Sequence, residues 1–176
     1  VLFRSGVPHY FAVRGLYEAV SLDEAVRAVE RAQRAIPANI ILATPQGPAD
    51  LEVTVERVHV LRAGDSGRIT HTNHCLHPEL VSINEDFSEL IESHPRKARI
   101  DRLFGVGKEA LNLELMQAAL RDHENYPCSI CRHANDHPQH GFWVSVFSVI
   151  IEADAGRMYL SRGNPCEVPY EMYTLN

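Results

Sequence analysis

Arg68-Ile69-Thr70-His71-Thr72-Asn73-His74 is the stretch on which the reading of this chain turns. It follows the turn residues Gly64-Asp65-Ser66-Gly67, so Arg68 to Thr72 reads as a short strand whose end presents side chains to a site. Two histidines and an asparagine then stand within four positions. An asparagine amide donates hydrogen bonds without titrating. The same residue type also closes turns through its own backbone, so the surrounding sequence has to decide.

On the N-terminal side, apolar residues at Tyr10, Val13, Leu16, Tyr17 and Val20 give a helical spacing over residues 9–20. Ser21 followed by Glu24 forms a capping box that opens a second helix, reaching about Arg34 and stopped by Pro37. Its apolar stripe is Leu22, Ala25, Val26, Val29, Ala32 and Ile36. Asn39 to Thr44 reads as a buried strand, and Pro45-Gln46-Gly47-Pro48 as a turn. Leu51, Val53 and Val55 alternate with polar residues. The phase slips at Glu56-Arg57 and resumes at Val58 and Val60, which predicts a bulge or a tight turn between two strands.

On the C-terminal side, Ser93 caps a helix with Pro95 in its first turn. A further helix is expected from about Leu113 to His123. Phe142–Glu152 is apolar at both alternating phases, the pattern of a central strand covered on both faces. Asp154-Ala155-Gly156-Arg157 turns into a last strand, Met158–Ser161, followed by the turn Asn164-Pro165-Cys166. The order helices, strands, helices, strands predicts a layered α+β domain.

The chain has 176 residues, a net charge of −6 and 45% hydrophobic residues, with a pI near 5.9. That length and apolar content suit one domain with a real core. The acidic balance disfavours nucleic acid and anionic membrane as partners, and no apolar run is long enough for a transmembrane helix. Four cysteines, at 75, 128, 131 and 166, are too sparse for a disulfide scaffold, and a cytoplasmic location is the default.

Taken together, the block Ile69–His74, the segment Pro127-Cys128-Ser129-Ile130-Cys131-Arg132-His133, and the run from Ser148-Val149-Ile150 through Gly156-Arg157 to Gly163-Asn164-Pro165-Cys166 and Tyr170 resemble the acyl-coenzyme A:6-aminopenicillanic acid acyltransferase family. Gly6-Val7-Pro8, Arg14-Gly15-Leu16, the Ser21–Ala25 helix start, and Ser93 with Arg96, Arg99 and Leu103 extend the likeness from about Gly6 to Tyr173. The resemblance implies an N-terminal-nucleophile (Ntn) hydrolase fold, an αββα four-layer sandwich incomplete at the N-terminus, with residues 1–176 forming a single partial domain. It implies a self-processing enzyme whose N-terminal cysteine attacks an amide or thioester carbonyl and passes the acyl group to water or an amine. The cysteine's α-amino group, with a reference pKa near about 8, serves as base.

In that frame Asn73 matches the family's oxyanion-hole asparagine, with His71, Thr72 and His74 as supporting groups. Arg132 is a candidate for a substrate carboxylate, which a guanidinium binds with two parallel hydrogen bonds. No cofactor and no metal are expected, and the partners are a small acyl donor and an acyl acceptor. The nucleophile is not in this chain: Val1 carries no nucleophilic side chain, and Cys75 is internal and reads as a small packed residue. The 176 residues alone are therefore expected to be inactive, the missing N-terminal segment of the same protein supplying the nucleophile.

Three other readings remain open on the sequence. Cys128, Cys131, His133, His137 and His140 lie close enough for a zinc module. Arg96, Lys97, Arg99 and Arg102 form a basic run, better explained as the solvated face of a helix. A non-catalytic binding domain on the same Ntn scaffold is the third.

Overall fold

The computed structural model describes residues 4–86, 92–105, 110–139 and 141–175. The chain divides into two compact units, Val1–Phe87 and Ser88–Asn176, and each mixes helix with antiparallel sheet, which makes the protein α+β.

In the first unit, α1 spans His9–Tyr17 and α2 spans Leu22–Arg31. The capping box at α2 forms as the sequence predicts. Ser21 is extended and its hydroxyl accepts from the Glu24 N–H at 3.2 Å, while the Glu24 carboxylate accepts from the Val20 N–H at 3.0 Å. Leu22, Ala25 and Val29 are buried along one stripe. The helix ends at Arg31 rather than the expected Arg34, because Arg34 folds back as a cap. Its Nη1 donates to the carbonyls of Val29, Glu30 and Ala32 at 2.7, 3.1 and 3.3 Å, and its Nε reaches Thr54 O at 2.8 Å. Carbonyls orphaned at a helix C-terminus are thereby satisfied by a cation. Gly6 runs against this corner; a Cβ there would lie 2.1 Å from Gln33 O.

Strands β1 (Ala38–Leu42), β2 (Ala49–Val53) and β3 (Val58–Arg62) form an antiparallel sheet with β2 in the centre. The phase slip at Glu56-Arg57 is a tight turn: Thr54 N donates to Arg57 O at 2.8 Å. Side chains alternate between the two faces. Ala38, Ile40, Leu42, Ala49, Leu51, Val53, Val58 and Val60 face the core with Leu16, Leu22, Ala25 and Val29 of the helices. The opposite phase carries Asn39, Ile41, Asp50, Glu52 and His59, by register. Arg68–Thr72 is not a strand, against expectation. Residues 69–77 are held by side-chain bonds to the sheet, not by a backbone ladder.

In the second unit, α3 spans Ser93–Gly105 and α4 spans Leu113–Leu120, capped by the Asn112 side chain, which accepts from Leu115 N at 2.9 Å. Strands β4 (Ser148–Glu152), β5 (Arg157–Ser161) and β6 (Glu171–Thr174) form a second antiparallel sheet in that order. Gly156, at φ 59°, makes the turn between β4 and β5. The expected long strand Phe142–Glu152 shortens to five residues. Its burial also alternates: Ser148 and Ile150 are buried, while Val149 and Ile151 are 36% and 65% exposed. Double coverage of this strand is thus not seen. The short β6 escaped the sequence reading, and the Asn164 turn joins it to β5 rather than ending the fold.

Candidate functional site

The site in the first unit begins with β2. An Ala-Asp-Leu-Glu-Val strand reads as apolar on one face and solvated on the other, yet all five residues are buried. Asp50 is completely buried and Glu52 nearly so. What covers them is the 69–77 segment. The Glu52 carboxylate accepts from His71 Nε2 at 2.9 Å, from the His77 N–H at 2.9 Å and from the Leu76 N–H. Two backbone donors and an imidazole therefore tie the segment to the middle strand of the sheet. Hydrogen bonds with a charged partner are about twice as strong as neutral ones, which suits a loop with no ladder of its own.

His71 is the keystone of this arrangement, with its side chain only 4% exposed. Its Nδ1 meets Thr72 O at 2.5 Å while Nε2 faces Glu52. Both ring nitrogens face oxygen atoms. Asp50 Oδ1 accepts from Asn39 Nδ2 at 2.6 Å, whereas Oδ2 has no hydrogen-bond partner and lies 3.8 Å from His71 Nε2. Burial raises the Asp50 carboxyl above its ordinary range, an effect opposed by His71 and Asn39 and assisted by Glu52. Asp50, Glu52 and His71 would have the composition of a metal site. The N–H groups aimed at Glu52 make it an anchor for a loop instead.

Beyond this anchor the chain bends at Asn73 and His74, and Asn73 is exposed. Thr72 Oγ1 and His74 Nδ1 lie 3.3 Å apart. The bend is closed on its far side by Asn84, which accepts from Cys75 N at 2.8 Å and donates to Cys75 O at 2.9 Å. Burial, then the nearby Glu52 charge, raises the Cys75 thiol above its usual value, which leaves it a poor nucleophile. The sequence marked Asn73, His71, Thr72 and His74. It missed Asp50 and Glu52, whose alternation reads as a solvated face.

In the second unit Arg132 is buried and its backbone is pinned on both sides. Its N–H donates to Ser145 Oγ at 3.0 Å, and its carbonyl accepts from Ser145 N at 2.9 Å and Asn164 Nδ2 at 3.1 Å. The planar fork of donors on a guanidinium is suited to a planar anion. Three basic residues of α3 are held in ion pairs: Arg99 meets Asp122 at 2.6 Å and Glu124 at 2.6 Å, Arg102 meets Glu124 at 2.7 Å, and Lys97 meets Asp101 at 2.6 Å. Only Arg102 is exposed as the sequence suggests; Arg96, Lys97 and Arg99 are half-buried.

The five zinc candidates do not converge. Cys131 and His133 do come together, but with His123 and Cys166. Cys128 and His137 stand outside that group, and His140 lies outside the described residues. Burial and the hydrogen bond to Cys166 push the Cys131 thiol up to about 11. Among the described residues no helix is long and apolar enough to cross a membrane.

Residues 2–167 match the model of the family described as acyl-coenzyme A:6-aminopenicillanic acid acyl-transferase. The chain belongs to this family. A relative is the acyl-coenzyme A:6-aminopenicillanic-acid-acyltransferase 40 kDa form of Emericella nidulans, 28% identical over 165 residues. The match takes in 92% of this chain and 44% of that relative, so the chain spans less than half the relative's length. The match to the family model contains the Asn73 bend, its Glu52 anchor and Arg132.

Proposed function

We propose that this chain carries the oxyanion-binding part of an Ntn-type acyltransferase or amidohydrolase that takes acyl groups from amides or thioesters. The observation that supports this most is the Glu52 anchor. A carboxylate buried in the sheet grips His71 and the backbone at 76 and 77, leaving Asn73 exposed on the bend between them. Catalysis by charge stabilisation requires a donor fixed before the charge appears, since a loose amide must be reoriented at the moment of reaction. The anchor supplies that rigidity, and the family supplies the chemistry.

In this reading the Asn73 amide donates to the tetrahedral oxyanion, His71 is a positioning residue, and Thr72 and His74 steady the bend. Arg132 binds a carboxylate of the substrate. The nucleophile is an N-terminal cysteine exposed by self-cleavage, carried on a segment outside these 176 residues. The αββα sandwich and a single domain built with that segment belong to the same proposal, as does a cytoplasmic location. The acceptor is water or a small amine.

The test is Asn73→Ala in the full-length enzyme, assayed with an acyl-coenzyme A thioester and an aryl-acetamide as donors. Turnover should fall at least about 100-fold, the usual cost of one lost oxyanion donor. KM should change little, because the donor acts on the transition state. Unchanged turnover in a normally folded variant removes Asn73 from the mechanism.

A further inference from the structure

In the second unit four side chains meet that the acyl-transfer reading leaves unused. His123 follows α4, Cys131 and His133 flank Arg132, and Cys166 lies in the turn between β5 and β6. His123 Nε2 and His133 Nε2 are 3.0 Å apart, Cys166 Sγ is 3.2 Å from His133 Nε2, Cys131 Sγ is 3.9 Å from the same nitrogen, and the two sulfurs are 3.6 Å apart. All four ligand atoms lie within 4.8 Å of one another.

These spacings can be compared with those of a filled tetrahedral site. Zinc–sulfur bonds of about 2.3 Å and zinc–nitrogen bonds of about 2.0–2.1 Å at tetrahedral angles put sulfurs about 3.8 Å apart, nitrogens about 3.3 Å apart, and sulfur from nitrogen about 3.6 Å. The four distances given above lie within a few tenths of an ångström of these values, and those from His123 to the two sulfurs are at most 4.8 Å. A disulfide between Cys131 and Cys166 would need its sulfurs about 2.05 Å apart, far inside the distance seen. Hydrogen bonding alone gives a weak account of two imidazoles and two thiols turned toward one point, because thiols are poor donors and acceptors.

We infer that His123, Cys131, His133 and Cys166 form a structural Cys2His2 zinc site. Four protein ligands close the coordination sphere, which is the mark of a structural rather than a catalytic metal. Binding converts both thiols to thiolates with release of their protons to solvent, and each histidine bonds through a neutral Nε2. For His133 the proton then sits on Nδ1, where Glu167 Oε1 at 3.3 Å accepts it, the carboxylate–histidine–metal arrangement that orients such ligands. The Asn164 amide nitrogen, 2.6 Å from that Nδ1, gives way toward its other partner, Arg132 O.

The ion would staple two segments far apart in sequence. One runs from Arg121 to His133 and carries three of the ligands, and the other is the turn at Cys166. Arg121 Nε to Pro165 O at 2.8 Å and Asn164 Nδ2 to Arg132 O at 3.1 Å already join them. Arg132 stands between two of the ligands, so the metal would fix the backbone of that buried guanidinium. The site does not depend on the acyl-transfer reading, and the two fail separately.

The test is elemental analysis of the full-length protein purified without a polyhistidine tag or chelator, with cobalt substitution as a second measurement. About one equivalent of zinc is expected. The cobalt form should show a thiolate charge-transfer band and the visible bands of tetrahedral cobalt. Cys166→Ser and His123→Ala should lose the metal, while Cys128→Ser and His137→Ala keep it. Zinc below about 0.1 equivalent in the unaltered protein, a Cys131–Cys166 disulfide found by thiol counting, or full retention of zinc by Cys166→Ser would each overturn the site. The first two outcomes require no variant to fold.

Discussion

Asp50 and Glu52 differ in what surrounds their carboxylates. Glu52 has three donors aimed at it, so its charge is matched where it lies. Asp50 has one, from Asn39, and an Oδ2 with no hydrogen-bond partner. Removal of water from a carboxylate favours its neutral form, and the Asp50 shift is upward for that reason first. The folded protein therefore keeps a proton that the unfolded chain has already released. The stability this contributes is complete below the ordinary carboxylate value near about 4 and is lost as pH rises through the raised folded value. His71 and Glu52 face the same group and act in opposite directions on it, so they set how far the loss extends. Asp50→Asn cannot ionise. Its urea midpoint relative to the unaltered protein should climb between pH 4 and pH 8. An offset that stays constant across that range would show that Asp50 does not titrate abnormally.

At the scale of elements, legibility followed local chemistry. The Ser21-x-x-Glu24 box, the Thr54–Arg57 turn and the Gly156 turn are each made by residues within a few positions of one another, and all were readable or nearly so; the Asn112 cap is as local but was missed. Where the deciding partner is distant, the sequence misled. Arg68–Thr72 has a strand's composition, but His71 is held by the distant Glu52 carboxylate, which also accepts from the N–H groups of Leu76 and His77, so the stretch forms a strapped loop. Arg34 shortens α2 by reaching back to Val29 and across to Thr54. Cys166 is 35 residues from Cys131, which no Cys-x-x-Cys spacing could announce. The cap that was legible can be weighed directly. Ser21→Ala leaves the Glu24 N–H at the first turn of α2 without its side-chain acceptor, and should destabilise the protein by about 1 kcal/mol. In urea unfolding the midpoint should fall with the slope unchanged. A variant as stable as the parent would mean that water or the Glu24 carboxylate replaces the cap without loss.

At the scale of the whole molecule, the sheet of the second unit poses the largest physical problem. By register Val149, Ile151, Met158, Leu160 and Tyr173 share one face, with Glu171 on its edge strand, and Val149 and Ile151 are exposed on it. Nearby Phe142, Val146 and Phe147 are more than half exposed as well. Each large apolar side chain taken from water contributes about 1.5–3 kcal/mol, so a face of this composition favours any layer that covers it. A second sheet packs about 10 Å away, face to face, which is what an αββα sandwich requires of its two inner sheets. Apolar alternation on both phases of Phe142–Glu152 also encodes a strand covered on both sides, although only one side is covered here. The sequence was therefore written for more packing than these residues provide, in line with the proposal that further strands complete the domain. The 176-residue chain expressed alone should bind a hydrophobic dye such as anilinonaphthalene sulfonate strongly and melt over a broad range, while the full-length protein binds little dye and melts cooperatively. Should the isolated chain prove monodisperse, dye-free and sharply cooperative, the apolar face would be tolerated without a cover, and the incomplete-sandwich reading would fall with it.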